Sequence, residues 1–229
     1  MLEPEQTRGT CTFCKRDMTM EGMGRHLQVC GSRKRAIERA NAAQGEEEEL
    51  YQLQVHDQRT GLYWLYLEMR GSATLEDLDD YLRVIWLECC GHLSRFSLGS
   101  WDKPEIPMRR QARDVLEPGL RLQHIYDFGE SSWTAIDVLR TRTGKSLTER
   151  PLVLMARNHQ PVYPCAVCGE PAYWLCMECL CERGEWITLC DYHADEHPCH
   201  NYGEPRELFN SPRSGMCGYV GPDDPAYFP

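Results

Sequence analysis

The pattern of apolar and polar positions predicts a folded core in the middle of the chain. Residues 62–69, LYWLYLEM, are aromatic and rich in β-forming residues, and their alternation is typical of a strand with one buried side. A helix follows, because Thr74 can cap it with Asp77 three residues on. Its apolar positions then fall on one stripe, which comprises Leu75, Leu78, Tyr81, Leu82, Ile85, Trp86 and Cys89.

Two further segments have the pattern of a β-hairpin. Apolar positions alternate through 120–128, and after a turn at 129–132 the segment 133–139 continues the β pattern. A last strand is predicted at 152–156. These elements predict an α+β fold over residues 61–158, in which antiparallel strands pack with at least one helix.

Different patterns flank this core. Residues 1–31 predict an N-terminal zinc finger, and 32–60 predict a helical linker in which the glutamates 46–49 form a solvated helix start or a linker. Residues 159–229, rich in cysteine and histidine, predict a C-terminal module with two metal ions. The 229 residues suit two or three such units.

The N-terminal unit carries four candidate zinc ligands, spaced Cys11-x2-Cys14-x11-His26-x3-Cys30. Two thiols on a tight turn, followed by a histidine and a cysteine one helical turn apart, can surround one tetrahedral ion. So small a unit cannot bury enough apolar surface to fold alone, and we expect zinc to hold it together.

The C-terminal unit contains a longer array of the same residue types. We expect two zinc ions in a cross-braced arrangement, with the first and third ligand pairs on one ion and the second and fourth on the other. The final ligand of the second ion stays open among His197, Cys199, His200 and Cys217. The array resembles a B-box zinc module, a protein-interaction domain, and its pairs are Cys165 and Cys168, Cys176 and Cys179, Cys190 and His193, and His197 and His200.

The remaining cysteines and histidines lie outside these spacings. Cys89 and Cys90 have no CxxC partner, so we expect buried structural thiols, and Cys181 is expected to be a spare thiol. His92 and His124 are expected to be satisfied polar groups at the edge of the core. The sequence therefore predicts about three zinc ions in all.

Charge and composition narrow the function classes. The chain has 13 cysteines and a net charge of −10, and residues 1–40 hold eight Lys and Arg against five Asp and Glu. A nucleic-acid contact would therefore be confined to residues 11–40, where Arg33, Lys34, Arg35 and Arg39 cluster. No stretch of ~18 apolar residues or signal-like start is present, so we expect a cytoplasmic protein with metal thiolates rather than disulfides.

The hairpin region carries a resemblance to a known family. The run LEPGLRLQHIYDFGESSWTAIDVL and the helix TLEDLDDYLRVIWLECCGH resemble the plasmid Ri ORF-three-like family, also called insertion-element passenger TnpR-like, and the mark is the tetrapeptide at 126–129 followed by Trp133. The likeness covers residues 62–156, and the zinc-bearing flanks and NSPRSGMCGY resemble longer bacterial members. It implies a compact α+β domain often found near mobile elements, with no established activity.

Three function classes follow from these observations. The first is a zinc-binding, non-enzymatic adaptor or regulatory protein associated with mobile elements, which binds a protein partner. The second is a nucleic-acid-binding regulator that uses the finger and its basic helix. The third is a hydrolase or nuclease with Asp127 and a histidine as acid and base, but no nucleophile elbow, HExxH helix or phosphate loop supports it. We assign no catalytic residue and expect Asp127 to accept backbone hydrogen bonds of a turn.

Overall fold

A computed structural model of the protein describes residues 7–222. The predicted units of 1–31 and 159–229 extend beyond this range, so their parts at 1–6 and 223–229 lie outside the described residues. Within it, none of the helices is long and apolar enough to cross a membrane.

One antiparallel sheet dominates the described residues. Its strands are β1 (Arg8–Cys11), β2 (Asp17–Thr19), β3 (Glu48–Asp57), β4 (Trp64–Arg70), β5 (Ser94–Leu98), β6 (Glu105–Ile106), β7 (Arg121–Tyr126), β8 (Ser132–Gly144) and β9 (Leu152–Asn158). Across the sheet they lie in the order β2-β1-β9-β4-β3-β8-β7-β5-β6.

Helices are few and short. The first two, on either side of Cys30, are α1 (Met20–Val29) and α2 (Gly31–Ala42). The core helix α3 (Leu75–Leu82) begins at the predicted capping box of Thr74 and Asp77 and continues into a π-helical turn, Arg83–Leu87. A 3₁₀ turn occupies Ala112–Asp114, and the C-terminal helices are α4 (Met177–Arg183) and α5 (Asp191–Asp195).

The predicted hairpin is confirmed, because β7 pairs with β8 across the turn that the pattern indicated. The helical interpretation of 32–60 is wrong in its second half. Only residues up to 42 are helical, and β3 lies in the middle of the sheet between β4 and β8. The run of glutamates at 46–49 led to the wrong prediction, because Glu48 and Glu49 already belong to β3. The Glu48 carboxylate accepts hydrogen bonds from Arg70 Nε at 2.5 Å and from Ser72 N at 2.9 Å.

Both faces of β4 are buried, whereas the sequence predicted one. Leu65 and Leu67 belong to the main core with α3, while Trp64 and Tyr66 face a second apolar cluster. Met23 and Leu27 of α1 complete the second cluster, and full burial of such side chains stabilises the fold by about 1.5–3 kcal/mol each. The N-terminal unit therefore packs on the sheet as well as adding β1 to the edge of β9.

The C-terminal residues form two small antiparallel sheets. One joins β10 (Tyr163–Pro164) to β11 (Pro171–Ala172). The other places β12 (Trp174–Leu175) between β13 (Thr188–Leu189) and β14 (Arg206–Glu207). These short strands hold the loops that carry most of the C-terminal cysteines and histidines.

After β14 the chain returns to the central sheet, and we call residues 208–219 the C-terminal segment. Asn210 exchanges two hydrogen bonds with Asn158, at 2.8 and 2.6 Å. Ser211 Oγ donates to the Trp86 carbonyl at 2.6 Å. The segment thus contacts both the end of β9 and the end of the core helix.

Candidate metal centres

Within residues 7–222, four groups of cysteine and histidine side chains could each hold a metal ion. Within each group the four ligand atoms all lie within 4.8 Å of one another. Tetrahedral zinc, with Zn–S bonds of about 2.3 Å, places two sulfurs about 3.8 Å apart and a sulfur and a nitrogen about 3.5 Å apart. Ligand atoms at about these two separations can therefore surround one zinc ion.

The finger cluster comprises Cys11, Cys14, His26 and Cys30, the four residues that the N-terminal spacing indicated. Cys11 ends β1, and the chain turns back at Lys15, whose φ of 60° is left-handed and whose N–H donates to the Cys11 carbonyl at 2.8 Å. Helix α1 then places His26 Nε2 3.1 Å from Cys14 Sγ. The turn and the helix together bring the four ligand atoms to one point.

Burial affects the protonation of this cluster. It raises the pKa of Cys11 to about 11 and lowers the pKa of His26, which favours the neutral imidazole that binds metal. For Cys30, burial raises the pKa, but hydrogen bonds, the largest from the Arg33 N–H, bring it below its ordinary value. A bound cation would favour the thiolate of each cysteine, so metal binding releases protons here.

The first C-terminal cluster comprises Cys165, Cys168, Cys190 and His193. The two halves come from the β10–β11 turn and from the start of α5. Sγ of Cys168 and Cys190 lie 3.8 Å apart, and His193 Nδ1 is 3.6 Å from Cys165 Sγ. Although burial raises the pKa of Cys165, backbone N–H groups, the first that of Cys168, lower it to about 6. This thiol is therefore prepared to act as a thiolate ligand.

The second C-terminal cluster comprises Cys176, Cys179, His197 and Cys199. Cys176 is the N-cap of α4 and Cys179 lies one turn into it. Cys179 Sγ is 3.3 Å from His197 Nε2 and 3.7 Å from Cys199 Sγ. Burial lowers the pKa of His197, so its neutral form is favoured. The side chains thus match the tetrahedral separations.

The two C-terminal clusters are interleaved along the chain as the spacing predicted, the first ligand pair with the third and the second with the fourth. The observed second cluster differs from the predicted ligand pairs at one position, the final ligand, which the sequence had left open. The structure brings His197 and Cys199 into the second cluster, while His200 is exposed and belongs to none of the four groups in residues 7–222. Cys217 lies in a different group altogether.

That group, the seam cluster, comprises Cys89, Cys90, His92 and Cys217, and sequence reasoning missed it. The expectation of two buried structural thiols is wrong, because Cys90 is exposed and Cys89 is only partly buried. Each cluster takes three cysteines, so of the 13 in the chain only Cys181 stands outside all of them. The available signal was the pattern Cys-Cys-x-His at 89–92, together with Cys217, which the sequence had left as a candidate ligand for the second C-terminal ion.

A buried ion pair lies next to the seam cluster. Asp127, with a left-handed φ of 64°, accepts from Gly129 N at 2.9 Å and Glu130 N at 3.2 Å, as expected for a residue that holds a turn. Its second oxygen accepts from the guanidinium of Arg213, which is fully buried. Burial raises the pKa of Asp127, but Arg213 and these backbone groups bring it below its ordinary value.

The basic residues near the finger divide into two kinds. Arg33 is buried and donates to Glu68 at 2.9 Å and to the Leu27 carbonyl at 3.1 Å, so it is engaged within the protein rather than free for phosphate. Within residues 11–40, the exposed ones are Lys15, Arg16, Arg25, Lys34, Arg35 and Arg39.

Comparison with known proteins adds little to this picture. No family model matches the chain, and no curated protein matches it. Among solved structures, it is similar to a protein of unknown function from Methanosarcina mazei Go1, with 15% identity and a TM-score of 0.39. The match covers 45% of this chain and 66% of the other.

Proposed function

We propose that this protein is a non-enzymatic, zinc-bound adaptor or regulatory protein whose metal ions build surfaces for protein contacts. The observation that carries the proposal is the pair of interleaved C-terminal clusters, each with three cysteines and one histidine at tetrahedral separations. Such donor sets are typical of structural zinc. The finger cluster supplies a third set of the same kind.

A structural role for these ions follows from the donor count. A catalytic zinc ordinarily has three protein ligands and keeps one position for water or substrate. Each of these three clusters offers four protein ligands, which fill a tetrahedral shell. Asp127, the candidate acid or base of the hydrolase hypothesis, is engaged by Arg213 and by two backbone N–H groups, and the histidine beside it, His92 at 3.3 Å, belongs to a Cys/His group. These contacts favour the adaptor over the hydrolase.

Exposed apolar side chains next to the metal ligands support a role in protein contacts. Val167 lies between Cys165 and Cys168 and is 64% exposed, and Tyr192 precedes His193 and is 63% exposed. Zinc at the first C-terminal cluster would fix the turn that carries Val167 and the start of α5, which carries Tyr192. Apolar and aromatic side chains presented in this way suit a protein partner, because such residues dominate the energetics of interfaces.

Metal analysis of purified protein tests the zinc part of the proposal. Cys14→Ser, Cys168→Ser and Cys179→Ser each remove one ligand from a different cluster, and each should lower the zinc content by about one ion per chain relative to wild type. Cys181→Ser is the matched control, since this cysteine is exposed and lies in no cluster. Equal zinc content in all five proteins would overturn the assignment.

Partner recovery tests the adaptor part. Tagged wild type and a Val167→Asp, Tyr192→Ser variant are purified from the source cells and compared by quantitative mass spectrometry. The variant should lose specific partners while keeping its zinc. Val29→Asp is the control. It changes an apolar residue of α1 that is 69% exposed, so it measures the non-specific binding that any exposed apolar side chain contributes. A partner set unchanged by the C-terminal variant would contradict this role for the surface.

Nucleic-acid binding is the second candidate, and the six exposed cations around the finger favour it. Binding of fluorescent DNA and RNA at two salt concentrations tests it, because the salt dependence of binding grows with the number of phosphates that the protein neutralises. Lys34→Ser with Arg39→Ser should reduce the slope by about 2 if both side chains bind phosphate. Binding without salt dependence would exclude this mode. Association with mobile elements rests on the family resemblance at 126–129 and is tested by the genes adjacent to this one.

A further inference from the structure

We propose that the seam cluster binds a fourth zinc ion, which fastens the C-terminal segment to the central fold. Cys89, Cys90 and His92 follow the core helix, whereas Cys217 belongs to the C-terminal segment. An ion held by all four side chains would therefore join two parts of the chain more than a hundred residues apart. The site is separate from the three on which the proposed function rests.

The separations between ligand atoms match a tetrahedral ion. Cys90 Sγ lies 3.9 Å from Cys89 Sγ and 3.6 Å from Cys217 Sγ. His92 Nε2 lies 3.1 Å from Cys90 Sγ and 3.5 Å from Cys217 Sγ. Tetrahedral zinc requires about 3.8 Å between sulfurs and about 3.5 Å between sulfur and nitrogen. Three thiolates and an imidazole also select a soft ion such as zinc over magnesium or calcium.

The loop that carries the first three ligands is held in place by Arg83. Its guanidinium donates to Glu88 at 2.8 Å and to the His92 carbonyl at 2.7 Å, on either side of the two cysteines. The same guanidinium is anchored to Asp79 of α3 at 2.6 Å. The loop is thus positioned by the core helix independently of any metal, which reduces the ordering that an ion must cause on binding.

Cys217 is held on the other side. Its N–H donates to the Glu130 carboxylate at 3.0 Å, and its φ of 48° is left-handed, a conformation that a non-glycine residue keeps only where surrounding contacts impose it. These contacts turn the side chain towards Cys90 and His92. The two halves of the site therefore meet in a defined geometry.

The nearby charge suits an anionic metal centre. Zinc with three thiolates carries a net charge of about −1. The buried guanidinium of Arg213, also in the C-terminal segment, lies 3.6 Å from Cys89 Sγ. This guanidinium also pairs with Asp127, whose Oδ2 lies 3.3 Å from His92 Nε2, so its charge is shared between that carboxylate and the thiolates.

Exposure distinguishes this site from the other three. Cys90 and Cys217 are both exposed and no cysteine of this cluster is buried, whereas the second C-terminal cluster has three buried cysteines, the finger cluster two and the first C-terminal cluster one. A chelator can approach the seam ion directly. We therefore expect this zinc to be the first to leave, and its loss to free the end of the C-terminal segment while the rest of the protein keeps its metal.

Thiol alkylation of the wild-type protein tests the proposal without a variant that could misfold. Protein prepared with zinc under reducing conditions is treated with iodoacetamide, before and after brief chelation, and the modified cysteines are identified by mass spectrometry. Cys90 and Cys217 should each react about tenfold more slowly before chelation than after it, whereas Cys181, which is also exposed and lies in no cluster, should react at the same rate in both. Rates of Cys90 and Cys217 that chelation leaves unchanged would overturn the proposal.

Zinc content and hydrogen exchange provide the second test. Cys217→Ser should lower the zinc content by about one ion and raise amide exchange in residues 208–219, with no change in the finger or in residues 163–199. Unchanged zinc content in this variant would overturn the fourth site and leave the proposed function standing. Conversely, loss of zinc here with none from Cys14→Ser, Cys168→Ser or Cys179→Ser would overturn the proposed function and keep this site.

Discussion

The guanidinium of Arg213 donates a hydrogen bond to the carboxylate of Asp127, and both side chains are buried although 86 residues separate them. Arg213 also donates to Ser132 Oγ at 3.1 Å and lies over the ring of Tyr126, 5.2 Å from its centroid. The C-terminal segment thereby supplies the positive charge that the turn after β7 requires. The turn that follows Tyr126 is thus completed by a residue far along the chain.

Replacement of Arg213 should lower the free energy of unfolding. Arg213→Met leaves the Asp127 carboxylate buried without its partner, and breaking a buried ion pair costs about 3–5 kcal/mol. Urea unfolding measures the change. Arg121→Met is the matched control, because Arg121 is half exposed in its pair with Asp137 and such pairs contribute about 0–1 kcal/mol. Equal losses in the two variants would contradict a central role for the buried pair.

Loss of a zinc ligand in the first C-terminal cluster should have a local effect. Cys165→Ser is expected to unfold the turns that carry the first cluster, at residues 163–172 and 188–195, while the C-terminal segment and the strands of the central sheet stay folded, because metal supplies much of the folding energy of small zinc modules. Limited proteolysis maps the unfolded region, with Cys181→Ser as the control. A cleavage pattern like that of wild type would show that Cys165 is not needed to hold a metal.

Asp79 should make stability depend on pH in the acidic range. Burial raises its pKa, but hydrogen bonds and charge from His124 and Arg83 overcome this and lower the pKa to about 2. The folded state therefore binds its proton less readily than the unfolded state. The resulting stabilisation, about 2–3 kcal/mol, is present above pH ~4 and is lost as the pH falls from about 4 to about 2.

The variant Asp79→Asn removes this contribution. Wild type should exceed it in stability at pH 5, and the gap should narrow below about pH 4. Because acid-driven loss of zinc affects both proteins, the difference between their unfolding free energies isolates Asp79. A gap that stays constant down to pH 3 would contradict the expectation.

Gly24 is expected to resist substitution despite its place in a helix. A Cβ atom there would lie 2.8 Å from Tyr66 Oη, which donates to the Met20 carbonyl at 2.8 Å. Alanine favours helices over glycine by about 1 kcal/mol, but overpacking costs about 1–3 kcal/mol. Gly24→Ala should therefore lower the thermal midpoint. Gly31→Ala, where the nearest atom is the end of the Arg35 side chain at 3.4 Å, should not.

The sequence indicated local features better than distant ones. The two cysteine pairs of the C-terminal module lie on single turns, and a cross-brace follows from their order, so the grouping of Cys165 and Cys168 with Cys190 and His193 could be predicted. The helix at Thr74 and the hairpin at 129–132 are likewise determined within a few residues. Short-range spacing is sufficient for features of this kind.

What could not be predicted depends on contacts between distant segments. Cys217 meets Cys90 only because the C-terminal segment returns to the core, and no spacing rule connects the two residues. Arg33 looked like part of a basic surface, but it faces Glu68 on β4 once the finger packs on the sheet. The burial of both faces of β4 has the same origin, because α1 covers the second face.

The placement of β1 beside β9 has a consequence for solubility. Without β1, the backbone N–H and C=O groups along the outer edge of β9 would lie open, and an unpaired strand edge is a template for association with other chains. Cys11 ends β1 and is also a member of the finger cluster, so the group that could bind metal also holds the strand that protects this edge. A chain that loses Cys11 as a ligand would therefore be expected to aggregate through the exposed edge of β9 before its central core has unfolded.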